Sequence, residues 1–269
     1  MYWVIFLNIL NKIMNDNSRV RNFVIAVILL LLTYLVIVFL TENDKSFSEE
    51  LPVSNMKNTE NKDMQDVLKD ELYVIQNKSE LEEGYEINIY YPYTTDEDLN
   101  KYINTKIERY IKDIKYQANR YEKEVSKGKY ILNISFDVTK GNQKYISFVF
   151  YIKQDIKYLH ANEYVFVVNY DKNRKKIILQ EDLENMYPNL YYNLSKYTYN
   201  ELLKNEEIKN MGALDILLAG THADKYNFMN LAFKENKLVV LFEKYQVAPH
   251  VLGLFEVEVP LEYLEKGES

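Results

Sequence analysis

The sequence predicts an α+β fold, an antiparallel sheet packed with two or more helices, preceded by a single N-terminal transmembrane helix. Three observations carry this expectation. Apolar residues alternate with polar ones over several short segments, which is the period of a half-buried strand. They recur at three- and four-residue spacing over two longer segments, which is the period of an amphipathic helix. They also run without a charge through residues 23–40. The order strand, helix, strands, helix, strands then excludes a doubly wound parallel fold, whose strands and helices alternate.

The anchor comes first in the chain. Phe23 to Leu40 reads FVIAVILLLLTYLVIVFL, with only Thr33 and the Tyr34 hydroxyl polar. At 1.5 Å per residue such a helix spans about 27 Å, close to the hydrocarbon thickness of a bilayer. Arg19 and Arg21 precede it and Glu42 and Asp44 follow it. Positive residues stay inside, so the N-terminus is expected in the cytoplasm and the C-terminal bulk outside it. Phe39-Leu40-Thr41-Glu42 lacks the small residues of a signal-peptide cleavage site, so the anchor is expected to remain attached. Residues 1–22 form a short cytoplasmic tail in this reading. Its apolar stretch 1–14 is too short to span and suits the membrane interface, unless Met14 is the true start. Residues 41–70, rich in Asn, Lys, Asp, Glu and Ser, read as a flexible linker.

The outer domain is expected in two halves, 71–175 and 176–269. Tyr85, Ile87, Ile89 and Tyr91 alternate with more polar neighbours as a strand, which Pro92 stops. Thr95 to Asp98 reads as an acidic helix start. Leu99, Ile103, Ile107, Ile111, Ile114 and Ala118 then mark a helix of about six turns. Tyr130, Leu132, Ile134, Phe136 and Val138 share one strand face, and Lys140-Gly141-Asn142 signals a turn. Ile146 to Ile152, mostly apolar, reads as a central strand. Tyr164 to Tyr170 is its neighbour, and Asp171-Lys172-Asn173 turns the chain into Ile177-Ile178-Leu179. A second helix is expected over 190–204, and 208–218 leans helical. Asn227 to Phe233, Leu238 to Glu243 and Leu254 to Val259 close the chain as strands.

Composition narrows the chemistry. There is no cysteine, which removes disulfides, thiolate metal sites and thiol nucleophiles together. His160, His222 and His250 stand alone, without the spaced partners of a zinc site. Seven glycines do not cluster into a phosphate-binding loop, and Gly220 and Gly253 read as turn or close-approach positions. Glu256 and Glu258 share a strand face, as a paired acid/base site would require, but such pairs abound on an acidic surface. No catalytic, cofactor-binding or metal-binding residue is assigned, and the reading is non-enzymatic. The net charge is −7; the first forty residues carry Lys12, Arg19 and Arg21 against Asp16, so the remainder carries −9. That balance argues against a nucleic-acid partner and permits a basic one. The 25 tyrosines mostly fall on alternating strand or helix positions, where packing accounts for them.

The closing run, from Leu238 through Val247-Ala248-Pro249 to Leu264, is the most distinctive text. An apolar strand leads into Phe242, Tyr245, Ala248 and Pro249; Gly253 follows, then a strand ending at Pro260. This resembles the closing motif of an extracytoplasmic domain family shared by RsiV-type anti-sigma factors and the N-terminal region of PdaC-type peptidoglycan deacetylases. Tyr91-Pro92-Tyr93 with Leu99-Asn100 and Ile103 resembles its early segment. His160 to Tyr164, Asn169-Tyr170-Asp171 and Leu179 to Leu183 resemble its middle. The likeness covers about residues 72–264. It implies an α+β domain at the cell envelope, with the six closing residues in structural roles. It also implies a binding or sensor module that recognises a basic protein such as lysozyme or cell-wall glycan. Two alternatives stand beside it, an accessory or truncated polysaccharide deacetylase and an anti-sigma factor with a reduced cytoplasmic part. The chain departs from both relatives, with a short N-terminal tail and an end at Ser269, where a deacetylase domain would begin.

The anchor has a direct test. The full chain is expected in the membrane fraction of its cells and to resist carbonate extraction, and deletion of residues 23–40 is expected to release it. External protease should degrade the C-terminal domain of intact spheroplasts; a protected domain would reverse the orientation.

Overall fold

The computed structural model describes residues 72–121, 129–155 and 161–266. The expected tail, membrane span and linker lie outside the described residues, as does His160. Among the described residues, no helix is long and apolar enough to cross a membrane.

Strands β1 (Tyr73–Leu81) and β2 (Tyr85–Thr94) are followed by helix α1 (Glu97–Tyr121). Strands β3 (Tyr130–Gly141), β4 (Tyr145–Asp155), β5 (Asn162–Asp171) and β6 (Lys176–Ile178) come next. The six strands form one sheet in sequence order. This corrects the antiparallel expectation, because the sheet is mixed: β2 pairs with β3 in parallel, from Tyr85↔Tyr130 to Ile89↔Ile134. The reason is the long helix between them. A hairpin reverses the chain, whereas the α1 crossover returns it to the end where β2 began, so β3 runs in the same direction. The remaining neighbours are antiparallel.

Helix α1 covers one face of this sheet. Its Ile103, Ile107 and Ile114 share a core with Leu132, Phe148 and Phe150. Its start is fixed by Asp96, whose Oδ1 accepts the Leu99 N–H at 3.0 Å and whose Oδ2 accepts the Tyr170 hydroxyl at 2.5 Å. One carboxylate thus caps the helix and ties it to β5.

The C-terminal half continues with α2 (Gln180–Met186), α3 (Leu190–Leu202), α4 (Glu206–Asn210) and α5 (Leu214–Gly220). After a 3-10 turn, Lys225–Phe228, strands β7 (Leu231–Lys234) and β8 (Lys237–Phe242) form a hairpin. A second 3-10 turn, His250–Leu252, precedes β9 (Phe255–Pro260) and α6 (Leu261–Lys266). Strands β7, β8 and β9 form a separate antiparallel sheet with β8 in the middle. Several of these elements differ from the sequence reading. The expected strand 227–233 is a 3-10 turn followed by a short strand, because the Asp224 side chain accepts the Tyr226 N–H and coils the chain there. The helix leaning over 208–218 breaks into α4 and α5 at Gly212, whose φ is +65°. Strand β1 and helices α2 and α6 have no counterpart in the reading.

The second sheet packs on the face of β4 and β5 opposite α1. Val149 and Val165 meet Ala232, Val239 and Leu241 there. A polar relay crosses this apolar contact. Ser147 Oγ donates to Asn169 Oδ1 at 2.5 Å and accepts the Phe233 N–H at 2.8 Å. Asn169 Nδ2 donates to the Leu231 carbonyl at 2.7 Å, and Thr139 Oγ1 donates to the Phe233 carbonyl at 2.8 Å. Strand β7 lies at the edge of its sheet, so its outer backbone groups lack ladder partners. Unpaired and buried, each would cost about 1–3 kcal/mol. The relay supplies those partners from the first sheet. The two hairpin turns also pair, Glu235 N–H to the Lys140 carbonyl at 2.7 Å and Asn142 N–H to the Glu235 carbonyl at 3.1 Å. Gly141 allows this approach, since a Cβ there would overlap Phe233.

Asn169→Ala is expected to lower stability by about 1–3 kcal/mol, because it leaves Ser147 and the Leu231 carbonyl unsatisfied. The Ser147→Ala/Asn169→Ala double variant should lose less than the sum of the single losses. Urea unfolding midpoints check both; strictly additive losses would contradict a shared relay.

Candidate functional site

The closing motif folds into the loop between β8 and β9. Phe242 ends β8 and is buried, as are Val247 and Ala248. Pro249 opens the 3-10 turn, Gly253 closes it with φ at +78°, and Pro260 ends β9. Tyr245 differs from the rest. Its side chain is 68% exposed, and its backbone is left-handed with φ at +67°. An L-residue with a Cβ pays about 1–2 kcal/mol for that conformation, and a bulky one rarely adopts it.

The neighbouring residues hold the strain in place. Gln246 Oε1 accepts the Glu243 N–H at 3.1 Å, and Gln246 Nε2 donates to the Asn227 carbonyl at 2.8 Å. The Gln246 backbone lies so close to Gly220 that a Cβ at Gly220 would collide with the Gln246 carbonyl. Glu243 Oε1 accepts the Val165 N–H of β5 at 3.1 Å, and Lys244 pairs with Glu163 at 2.7 Å. Residues on both sides of Tyr245 are therefore pinned, and the ring is held out toward solvent. Its face lies 4.9 Å from the His250 ring, tilted by 34°.

Beside this loop, α5 and the first 3-10 turn border a shallow, open surface depression of about 480 Å³. Asp215, Leu218, His222, Asp224, Tyr226 and Asn227 line it. Asn227 Nδ2 closes its floor by donating to the carbonyls of Ala219 and His222 at 2.9 and 3.0 Å. Tyr226 is 72% exposed. The Asn227 carbonyl accepts from Gln246, so the cavity and the Tyr245 loop share one hydrogen-bonded anchor. A second depression of about 660 Å³ lies along α1, between Tyr93, Lys101 and Arg109 among others. Its Asn100 is already committed to Thr94, at 2.8 Å to both the N–H and the carbonyl, and the rest is a solvated helix face.

The carboxylates divide by environment. Burial raises the Glu243 carboxyl above its usual range, with the Val165 hydrogen bond working the other way. Glu258 is lowered instead, by its hydrogen bonds to Lys234 and Lys237. Glu256 is exposed on the same strand, and Glu258 is held charged beside its lysines rather than poised as an acid. Among the described residues, no group of three His, Asp or Glu could hold a metal ion. His222 lines the cavity, and His250 lies under Tyr245.

Sequence reasoning found Tyr245 and grouped it with residues that shape the loop. It missed Gln246, Tyr226 and Asp215, which no motif marks. The signal for Gln246 is a polar residue between a turn and the buried pair Val247-Ala248.

Residues 175–262, the segment holding this loop and cavity, match the family model described as "Protein of unknown function (DUF3298)". The C-terminal region is thus similar to that family. The peptidoglycan-N-acetylmuramic acid deacetylase PdaC of Bacillus subtilis is 25% identical over 170 residues. That match takes in 63% of this chain and 36% of PdaC, so the chain spans only about a third of its relative. Crystal structures of DUF3298 family proteins from Bacteroides fragilis and Pseudomonas aeruginosa also align. The first is 15% identical over 72% of this chain and 90% of its own, with a TM-score of 0.44. The second is 13% identical over 71% and 90%, with a TM-score of 0.41. The resemblance read from the closing motif agrees with the DUF3298 and PdaC matches.

Glu243 gives the C-terminal region a pH signature. A carboxyl raised on folding favours the folded state below its unfolded pKa, and that contribution is lost as pH rises through its folded value. Glu243→Gln keeps an acceptor for Val165 and removes the charge. The variant is expected to gain stability relative to the parent as pH rises from about 4 to 7, measured as the difference in urea midpoint. A constant difference across that range would contradict burial of the charge.

Proposed function

We propose that this chain is a membrane-anchored binding module of the cell envelope that holds cell-wall glycan on the exposed face of its C-terminal region, without itself catalysing a reaction. The carrying observation is Tyr245, an aromatic ring presented to solvent in a conformation that costs stability and is pinned on both sides. Strain of this kind persists where the surrounding structure over-determines it, and it clusters at ligand sites. A rigid tyrosine face suits the apolar face of a sugar ring while its hydroxyl stays in water. The relative PdaC acts, by its name, on peptidoglycan. The expected anchor and linker would place the domain within reach of the wall.

The charge of −7 supports a second reading, a basic protein such as lysozyme as partner. The two readings separate in one experiment. Full chain in mild detergent is incubated with purified peptidoglycan and, separately, with immobilised lysozyme at low and high salt. Glycan binding predicts co-sedimentation with peptidoglycan that survives 0.5 M salt and falls at least tenfold in Tyr245→Ala. A basic-protein partner predicts lysozyme capture that salt abolishes. No binding to either ligand would overturn both.

Tyr245→Gly separates function from folding. It relieves the left-handed strain, so stability is expected to stay level or rise by up to about 1 kcal/mol while glycan binding is lost. Thermal unfolding and sedimentation on the same preparation check this. A clear loss of stability would assign the ring a structural role instead.

A further inference from the structure

We infer, resting on the glycan reading above, that His250 is the positioning residue of the glycan face: it covers one side of the Tyr245 ring and leaves the other as the single surface on which an uncharged sugar ring stacks.

The backbone attachments of the loop do not by themselves aim the ring. Glu243, Gln246 and the close approach to Gly220 fix the main chain on either side of Tyr245. Two side-chain torsions still decide where the ring points, and an exposed aromatic is free to change rotamer. The turn itself favours a residue without a ring. The Gln246 N–H donates to the Glu243 carbonyl at 3.1 Å, so residues 243–246 form a β-turn with Tyr245 in its third place. Its φ of +67°, after a Lys244 that is not left-handed, is the type II position that glycine ordinarily fills. Glycine would relieve the strain and present nothing to a ligand.

His250 supplies what the backbone lacks. Its imidazole lies 4.9 Å from the Tyr245 centroid at 34°, within the distances of an offset aromatic pair. The imidazole stands on a fixed backbone of its own. Pro249 opens the 3-10 turn with φ at −56°, the value its ring imposes. The Leu252 N–H donates to the Pro249 carbonyl and the Gly253 N–H to the His250 carbonyl, both at 3.0 Å. Leu252 packs against the C-terminal core. Tyr245 thus has one side against His250 and the rest in solvent, in keeping with its exposure.

The open side is uncharged. Glu243 and Lys244 precede Tyr245, but both turn to β5, to the Val165 N–H and to Glu163. Val251, which follows His250, is apolar and 75% exposed. The guest that fits is an uncharged saccharide lying across one ring face, its C–H groups against the aromatic and its hydroxyls in water. A ring aimed beforehand loses less ordering entropy when that sugar arrives.

The test uses the full chain in mild detergent, with calorimetric titration of soluble N-acetylglucosamine hexamer and thermal unfolding of the same preparations. His250→Ala is expected to weaken binding about fivefold or more. His250→Phe keeps a flat ring behind Tyr245 and is expected to restore affinity to within about twofold of the parent. His250→Gln keeps a hydrogen-bonding side chain without a ring and is expected to behave as His250→Ala. His250→Tyr serves as the second flat-ring variant if the phenylalanine chain unfolds. Parental affinity in His250→Ala, or rescue by glutamine and not by a flat ring, would overturn the role of His250 while leaving the glycan reading intact. If the parent binds neither the hexamer nor intact peptidoglycan, the glycan reading fails and the role of His250 with it.

Discussion

Ser147 and Asn169 sit on adjacent strands of the first sheet, paired directly across β4 and β5. Between them they satisfy the outer edge of a strand from another sheet. Both are buried in an otherwise apolar contact. The geometry is demanding because one hydroxyl and one amide must serve the Phe233 N–H, the Leu231 carbonyl and each other. Apolar burial alone would let the two sheets slide over one another. The relay fixes their register, since backbone groups alternate between the two edges of a strand and a shift of one residue along β7 would turn the needed N–H and C=O groups toward β8. All that lies beyond β7, including β8 and the loop after it, inherits its position from this contact.

The loop uses that fixed frame. Glu243 reaches across to β5 at the Val165 N–H, and Lys244 pairs with Glu163 on the same strand. Gln246 reaches the opposite way, to Asn227 and toward α5. Tyr245 lies between two attachments to different parts of the fold. A flexible loop would relax the left-handed tyrosine, whereas this one cannot without breaking both attachments. The cost appears as local strain, and the result is an aromatic ring whose orientation is set before any ligand arrives, so less ordering entropy is lost on binding.

The periodic parts of the chain were legible. The α1 stripe, the inward residues of β3 and the apolar run of β4 each fill a face that their spacing marks. Strand β1 was not legible, because its residues are mostly exposed or half-exposed at a sheet edge and show no alternation. Helices α2 and α6 are under two turns long and too short to show a period. The parallel β2–β3 pairing was missed because alternation reports which face is buried and says nothing of which neighbour lies alongside. Asn227 and Phe228 read as the start of the strand over 227–233, while the Asp224 cap coils the backbone there.

The sequence by itself determined the α+β class, the long amphipathic helix, the central strand and the closing motif with Tyr245, Pro249 and Gly253. These follow from local periodicity and from backbone preferences of single residues. Only the tertiary structure decided that the strands form two sheets, that Ser147 and Asn169 join them, and that Tyr245 faces solvent beside His250. The physical reason is distance along the chain. Ser147 and Phe233, or Gln246 and Asn227, meet through hydrogen bonds between residues far apart in sequence, and no local pattern records which polar side chain will find which distant backbone group.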